Sequence, residues 1–242
     1  MAITSESFTT MQLEKANPVN TACWSCGSPL TAARLVCEAC GKIQPPSVAA
    51  SYFEVFGLAG KLHVDLPALE RTFYKLSRKL HPDIYARSSS EEQQWSLANT
   101  SLLNDAYRTL KSPLPRTEYL LKLEGVQLED PSHADKQART PPDLLEEVFE
   151  LNMQLEEMRM NRNVGEEDLT LRHDLENAKI QFDSQLAAAD TELESLFARW
   201  DQAVDASDDA QKTNVKEKLT ALLDRRRYLR NLVRDVDEAL SN

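Results

Sequence analysis

The sequence predicts an all-α protein: a helical hairpin, then an antiparallel three-helix bundle, both preceded by a small zinc-binding knuckle module. Three observations predict it. Apolar residues recur at steps of three and four along several long segments after position 65. The composition, 41% hydrophobic and 28% charged with 6 Gly and 11 Pro, leaves little material for a sheet. All four cysteines fall between positions 23 and 40, as two Cys-x-x-Cys pairs. A chain of 242 residues can bury a real core in one or two domains. The expected division is a disordered N-terminus at 1–20, the tetracysteine module and linker at 21–48, the hairpin domain at 50–124, a linker at 125–141 and the bundle at 142–242.

Residues 1–20 are polar and aperiodic, which predicts disorder. They lack a basic start and an apolar core, so they do not read as a secretory signal, and they contain no Arg, which argues against a transit peptide. Next come Cys23-Trp24-Ser25-Cys26-Gly27 and Cys37-Glu38-Ala39-Cys40-Gly41. Each pair can offer two thiolates to one ion, and Gly after the second Cys permits a tight turn. Four thiolates suit a structural Zn2+ site. So short a segment cannot bury a core, so the metal would supply its folding free energy. Disulfides would need an oxidising compartment, and redox chemistry a strand–turn–helix setting. A rubredoxin-like iron site uses a similar spacing and stays open.

Gln44-Pro45-Pro46-Ser47 reads as a linker, and Tyr52 to Leu58 as a short aromatic helix. From Asp65, which can cap, Leu69, Phe73, Leu76 and Leu80 form one apolar stripe. Arg71, Lys75 and Arg78 follow on another face, with Lys79 beside them. Pro82 ends the helix, because it has no N–H to donate and restricts the residue before it. After a polar stretch through Ser90, a second helix carries Trp95, Ala98, Leu102, Ala106 and Leu110 as its stripe. Ser112-Pro113-Leu114-Pro115 is expected to break it, and Arg116 to Leu123 to resume as a short helix packing through Tyr119, Leu120 and Leu123.

Three long helices are expected beyond Pro142, running to about Asn161, from Gly165 to about Ala206, and from near Asp208 onward. The Asp-rich break at 205–209 favours a bundle folded on itself over a dimerising coiled-coil arm. The first of these helices carries two apolar stripes. Leu144, Val148, Leu151, Leu155 and Met158 suffice to face its neighbours. Leu145, Phe149 and Met153 lie about 100° further round, flanked by Glu146, Glu150, Glu156 and Glu157. This second stripe is either wide core packing or an exposed docking surface.

Two antiparallel helices joined by a turn that offers His81, Pro82 and Asp83 resemble the J domain of the DnaJ co-chaperones. Leu103-Asn104-Asp105-Ala106-Tyr107-Arg108-Thr109-Leu110 and the run from Ser112 to Leu121 resemble one J-protein subfamily, the HscB co-chaperones of iron–sulfur cluster assembly. The likeness runs from about Cys23 to the C-terminus. It implies that His81, Pro82 and Asp83, with Arg71, Lys75, Arg78 and Lys79, meet an HscA/DnaK-class ATPase chaperone and stimulate its ATPase. It implies further that Leu145, Phe149, Glu150, Met153, Glu157 and Tyr228 hold an IscU-like iron–sulfur scaffold protein. Two departures qualify that face: Glu146 stands where the family can have an apolar residue, and Met153 where it can have a carboxylate.

The net charge of −11 disfavours phosphate-backbone binding, so no nucleic-acid partner is expected. The excess sits wholly in residues 141–242, with 24 acidic against 13 basic side chains, while 15 and 15 cancel in residues 1–140. No apolar run approaches the roughly 20 residues of a membrane span. His63, His81, His133 and His173 are scattered, and no catalytic residues are expected. Together with these features, the resemblance implies a cytoplasmic ATPase activator, not itself an enzyme, expected as a monomer or weak homodimer. The alternative is a general J-protein adaptor for another client.

Overall fold

The computed structural model describes residues 22–30, 33–47, 50–127, 142–165 and 168–241. The segment 1–20 and nearly all of the linker with His133, Pro131 and Pro141 lie outside the described residues. Among the described residues the fold is helical, with two isolated β-bridges, Ala22 with Pro29 and Val36 with Ile43. No described helix is long and apolar enough to cross a membrane. The chain forms two compact units. One holds the residues up to Ala59 and Leu66–Leu110; the other holds Gly60–Asp65 and everything from Lys111 onward.

In the first unit α1 spans Tyr52–Val55, α2 Leu66–Leu80, α3 Pro82–Tyr85 and α4 Ser90–Leu110. The start of α1 is a capping box: Ser51 Oγ accepts from the Glu54 N–H at 3.3 Å, and Glu54 Oε2 accepts from the Ser51 N–H at 2.7 Å. Helices α2 and α4 pack as the hairpin, with Phe73 stacked on Tyr107 at a ring separation of 4.2 Å. The polar stretch expected after His81 contains the helical turn α3, which Pro82 begins rather than merely blocks.

The buried face of α4 differs from the predicted stripe. Glu92, Ser96, Asn99, Leu103, Ala106 and Leu110 are buried, Trp95 and Leu102 are half-buried, and Ala98 is exposed. Hydrogen bonds explain the offset. Ser96 Oγ donates to the Leu80 carbonyl at 2.6 Å, and Thr100 Oγ1 donates to the same oxygen at 3.2 Å. Asn99 Nδ2 donates to the Gln44 carbonyl at 2.8 Å. Polar side chains can line a core when their donors find acceptors there.

In the second unit α5 spans Pro113–Leu123, α6 Leu145–Val164 after a 3-10 turn at Pro142–Leu144, α7 Leu169–Ala206 and α8 Asp209–Ser241. The break expected after Leu110 is present, but α5 resumes at Pro113 instead of Arg116: Pro113 sits in the first turn, where the missing N–H costs nothing. Its buried apolar side chains are Leu120 and Leu121, while Leu123 is exposed. Asp168 caps α7 by accepting from the N–H groups of Thr170 and Leu171. Ser207, at φ 53°, ends it in the left-handed region that allows the reversal into α8.

Helix α6 is about 30 Å long and α7 about 57 Å, so α6 covers only part of the α7–α8 hairpin. Leu144, Val148, Leu151 and Leu155 of the α6 segment meet Leu175 and Phe182 of α7 and Leu229, Leu232 and Val236 of α8 in one core. Towards the other end of the hairpin the chain supplies different partners. Trp200 Nε1 donates to the Gly60 carbonyl at 2.9 Å. Asp201 accepts from the Leu62 N–H at 2.7 Å, from the His63 N–H at 3.0 Å and bonds the His63 ring at 2.8 Å. Helix α5 joins α8 through Arg227–Glu118 and through Lys216 Nζ, which donates to the Glu124 carbonyl.

Leu62 is wholly buried, so losing its acceptor leaves a buried N–H unpaired. Asp201→Ala is expected to lower unfolding stability by about 2 kcal/mol in urea denaturation. An unchanged midpoint and slope would show that the loop at 60–65 does not depend on this carboxylate.

Candidate functional sites

The metal centre is built from one turn used twice. The Cys23 N–H donates to the Ser28 carbonyl and the Gly27 N–H to the Cys23 carbonyl, at 2.8 and 2.9 Å. Cys37 with Lys42, and Gly41 with Cys37, repeat those bonds at the same lengths. Both turns need a left-handed residue after the second Cys, met by Gly27 at φ 69° and Gly41 at φ 73°. The turns bring Cys23, Cys26, Cys37 and Cys40 together with their ligand atoms within 4.8 Å of one another. All four are free thiols.

The sulfur separations test whether a metal fits. Cys23 to Cys40 is 3.7 Å and Cys26 to Cys37 is 3.8 Å. A tetrahedron with metal–sulfur bonds of about 2.3 Å has edges of about 3.8 Å. Those two separations match that edge, and with all four ligand atoms within 4.8 Å of one another the residues suit a single tetrahedral ion. Burial opposes charge on Cys23, but the N–H groups of Cys26 and Ser25 outweigh it and bring the thiol down to about 6. Against the Lys42 N–H, which lowers it, burial and the neighbouring thiols of Cys26, Cys23 and Cys37 push Cys40 up to about 12.

The module is tied to the first unit's helices. Gln44 Nε2 donates to Cys23 Sγ at 3.3 Å, while the Gln44 carbonyl takes the bond from Asn99. Trp24 lies edge-on to Trp95 at 5.6 Å. Lys42 Nζ pairs with the buried Glu92 at 3.1 Å. The Lys42 hydrogen bond holds the Glu92 carboxyl below its ordinary range, against burial and with help from Ser89. A depressed carboxyl stabilises the fold above its unfolded pKa, and that contribution is lost as pH falls through the folded value.

The corner at 81–83 faces outward. The side chains of His81 and Asp83 are 56% and 90% exposed. His81 Nδ1 accepts from the Asp83 N–H at 3.3 Å and caps α3. The buried Tyr85 hydroxyl donates to the Lys79 carbonyl at 3.0 Å, and Ser96 and Thr100 take the Leu80 carbonyl. The backbone of the corner is thus held from behind while its charged groups stay in solvent. Arg71, Lys75, Arg78 and Lys79 are exposed on α2, and Pro82 is half-buried. Exposed Ile84, which sequence reasoning missed, adds an apolar side chain beside Asp83.

The second stripe of α6 is exposed. Leu145, Phe149 and Met153 are 55%, 67% and 59% exposed, and Glu146, Glu150, Glu156 and Glu157 are exposed around them. Met160, exposed as well, continues the row seven residues beyond Met153; that step was visible in the sequence. Tyr228 is half-buried and packs against the core, so it is a partly covered member of this set. Asp143 pairs with Arg225 of α8 and pins the start of the α6 segment.

No family model matches the chain. Residues of the chain are 33% identical, over 153 positions, to the iron–sulfur cluster co-chaperone protein HscB of Mus musculus, a match of 62% of this chain and 64% of that protein. The chain thus spans less than two thirds of that relative's length. A co-chaperone protein HscB homolog of Vibrio cholerae is 34% identical over 138 residues, 57% of this chain and 72% of the relative. In fold, the chain resembles the crystal structure of human co-chaperone protein HscB, with a TM-score of 0.58 and 24% identity over 89% of this chain and 96% of that one.

Proposed function

The chain belongs to the HscB co-chaperone family, and from that premise we propose that it brings an IscU-like iron–sulfur scaffold protein to an HscA/DnaK-class chaperone and stimulates that chaperone's ATPase. The observation that carries this reading is the outward corner at His81, Pro82 and Asp83, held rigid by Tyr85, Ser96 and Thr100. Asp83 pairs with a basic side chain of the chaperone, and Arg71, Lys75, Arg78 and Lys79 meet its acidic surface. Opposite charges on the two faces steer the encounter and fix its orientation. Binding favours the chaperone state that hydrolyses ATP, so the chemistry belongs to the partner.

The scaffold protein docks on Leu145, Phe149, Glu150, Met153 and Glu157 of α6, with Tyr228 at the margin. An exposed apolar row edged by carboxylates supports this use. One polypeptide holding client and chaperone raises the effective concentration of one near the other. An ATPase titration of the chaperone, with and without the scaffold protein, tests the whole. Stimulation that rises further when scaffold protein is added is expected; none in either arm refutes the proposal.

We assign Zn2+ as the ion at the four cysteines. It crosslinks the two turns and has no open position for chemistry. Metal analysis of purified protein is expected to find about one zinc per chain, and Cys23→Ser to lose it together with part of the thermal stability. Metal-free protein carrying two disulfides would overturn the assignment.

A further inference from the structure

Between the metal module and the basic helix, within the first unit, lies a cleft of about 110 Å³. Small-molecule sites run to roughly 300–1,000 Å³, so this one suits a side chain or two from a protein. Its apolar lining includes Leu35, Val55, Phe56 and the half-buried Leu76. Its charged lining is Lys75 and Lys79 on α2, and Arg34 with Glu38 on the module, these last two paired at 2.8 Å. That makes three cations against one anion, all on exposed residues. Among the described residues, no ion pair occupies Lys75 or Lys79.

We propose that this cleft is a second anchor for the ATPase chaperone, taking an acidic side chain and its apolar neighbour from that protein's surface. The inference rests on the chaperone docking proposed above and extends it onto the four-cysteine module, which contributes Arg34 to the interface. Two observations select this occupant. The cationic rim with an apolar floor matches an acidic protein segment better than a bare phosphate. The rim also ends close in the chain to the outward corner, since Lys79 stands two residues before His81 and its carbonyl accepts from the Tyr85 hydroxyl that braces the corner. A nucleic acid is disfavoured by the net charge of −11.

Two substitutions of opposite sign test the proposal. Arg34→Glu makes the rim less cationic, and Glu38→Lys makes it more so. In titrations of the chaperone's steady-state ATPase with metal-loaded full-length protein, Arg34→Glu is expected to raise the half-maximal concentration about fivefold. Glu38→Lys is expected to lower it about twofold. The maximal stimulation stays that of the unsubstituted protein in both, since Asp83 is untouched. The separation between the curves should shrink at about 0.5 M salt, where screening removes rim attraction. Curves that coincide, or that shift in the same direction, overturn the proposal. Metal content checks folding; if Arg34→Glu loses its ion, an unshifted Glu38→Lys curve alone decides against the cleft. Asp83→Asn run alongside separates the two levels. Normal stimulation by that variant removes the chaperone reading itself. An inactive Asp83→Asn with unmoved Arg34 and Glu38 variants removes only the cleft.

Discussion

Asp83→Asn is expected to leave metal content and helicity unchanged and to remove stimulation of the partner chaperone's ATPase. The reason is local. The Asp83 side chain is 90% exposed and lies 3.5 Å from a half-exposed His81 ring, so its charge contributes little to folding. The corner it stands on is held by other groups: the Tyr85 hydroxyl on the Lys79 carbonyl, and Ser96 and Thr100 on the Leu80 carbonyl. Asparagine keeps the shape and removes the charge. A charge pair that is desolvated on docking costs about 2–5 kcal/mol when one partner is removed, upward of about 25-fold in affinity. An ATPase rate that still climbs with added variant, to the unsubstituted level, would show that the corner is not the point of contact.

Phe149→Ala together with Tyr228→Ala is expected to weaken scaffold binding by about 1–3 kcal/mol per anchor. The two substitutions differ in what they do to the fold. Phe149 is 67% exposed, so its truncation removes contact area for a partner and little core packing. Tyr228 packs against the core cluster, so its truncation also costs stability. Phe149→Ala alone is therefore the cleaner arm. Calorimetry is expected to show at least about a fivefold loss for it, with helicity intact. Unchanged affinity in both the single and the double variant would place the docking face elsewhere.

How much of this was legible depended on which force holds each residue. The long stripes of α6, α7 and α8 could be read because burial there is apolar and follows the helical period. The second stripe of α6 could be seen but not placed, since nothing in Leu145 or Phe149 says whether a neighbour covers them. On α4 the reading took Ala98 and Trp95 for the buried face. The residues that are buried instead, Glu92, Ser96 and Asn99, are polar and bonded to Lys42, the Leu80 carbonyl and the Gln44 carbonyl. Hydrophobic periodicity is blind to such a face. At α5 the ambiguity was chemical: Pro113 and Pro115 suit a helix start as well as a break. The four cysteines were legible because metal-binding spacing is local. The hold of Asp201 on Leu62 and His63 was not, since partners 138 and 139 residues apart leave no mark on either stretch.

That last hold has a consequence for synthesis. A ribosome releases the chain from its N-terminus, so Gly60 to Asp65 emerges long before Trp200 and Asp201 exist to receive it. During that interval the N–H groups of Leu62 and His63 have only water to bond, and a nascent chain cut short before α7 carries a protease-sensitive loop that the finished protein ties down.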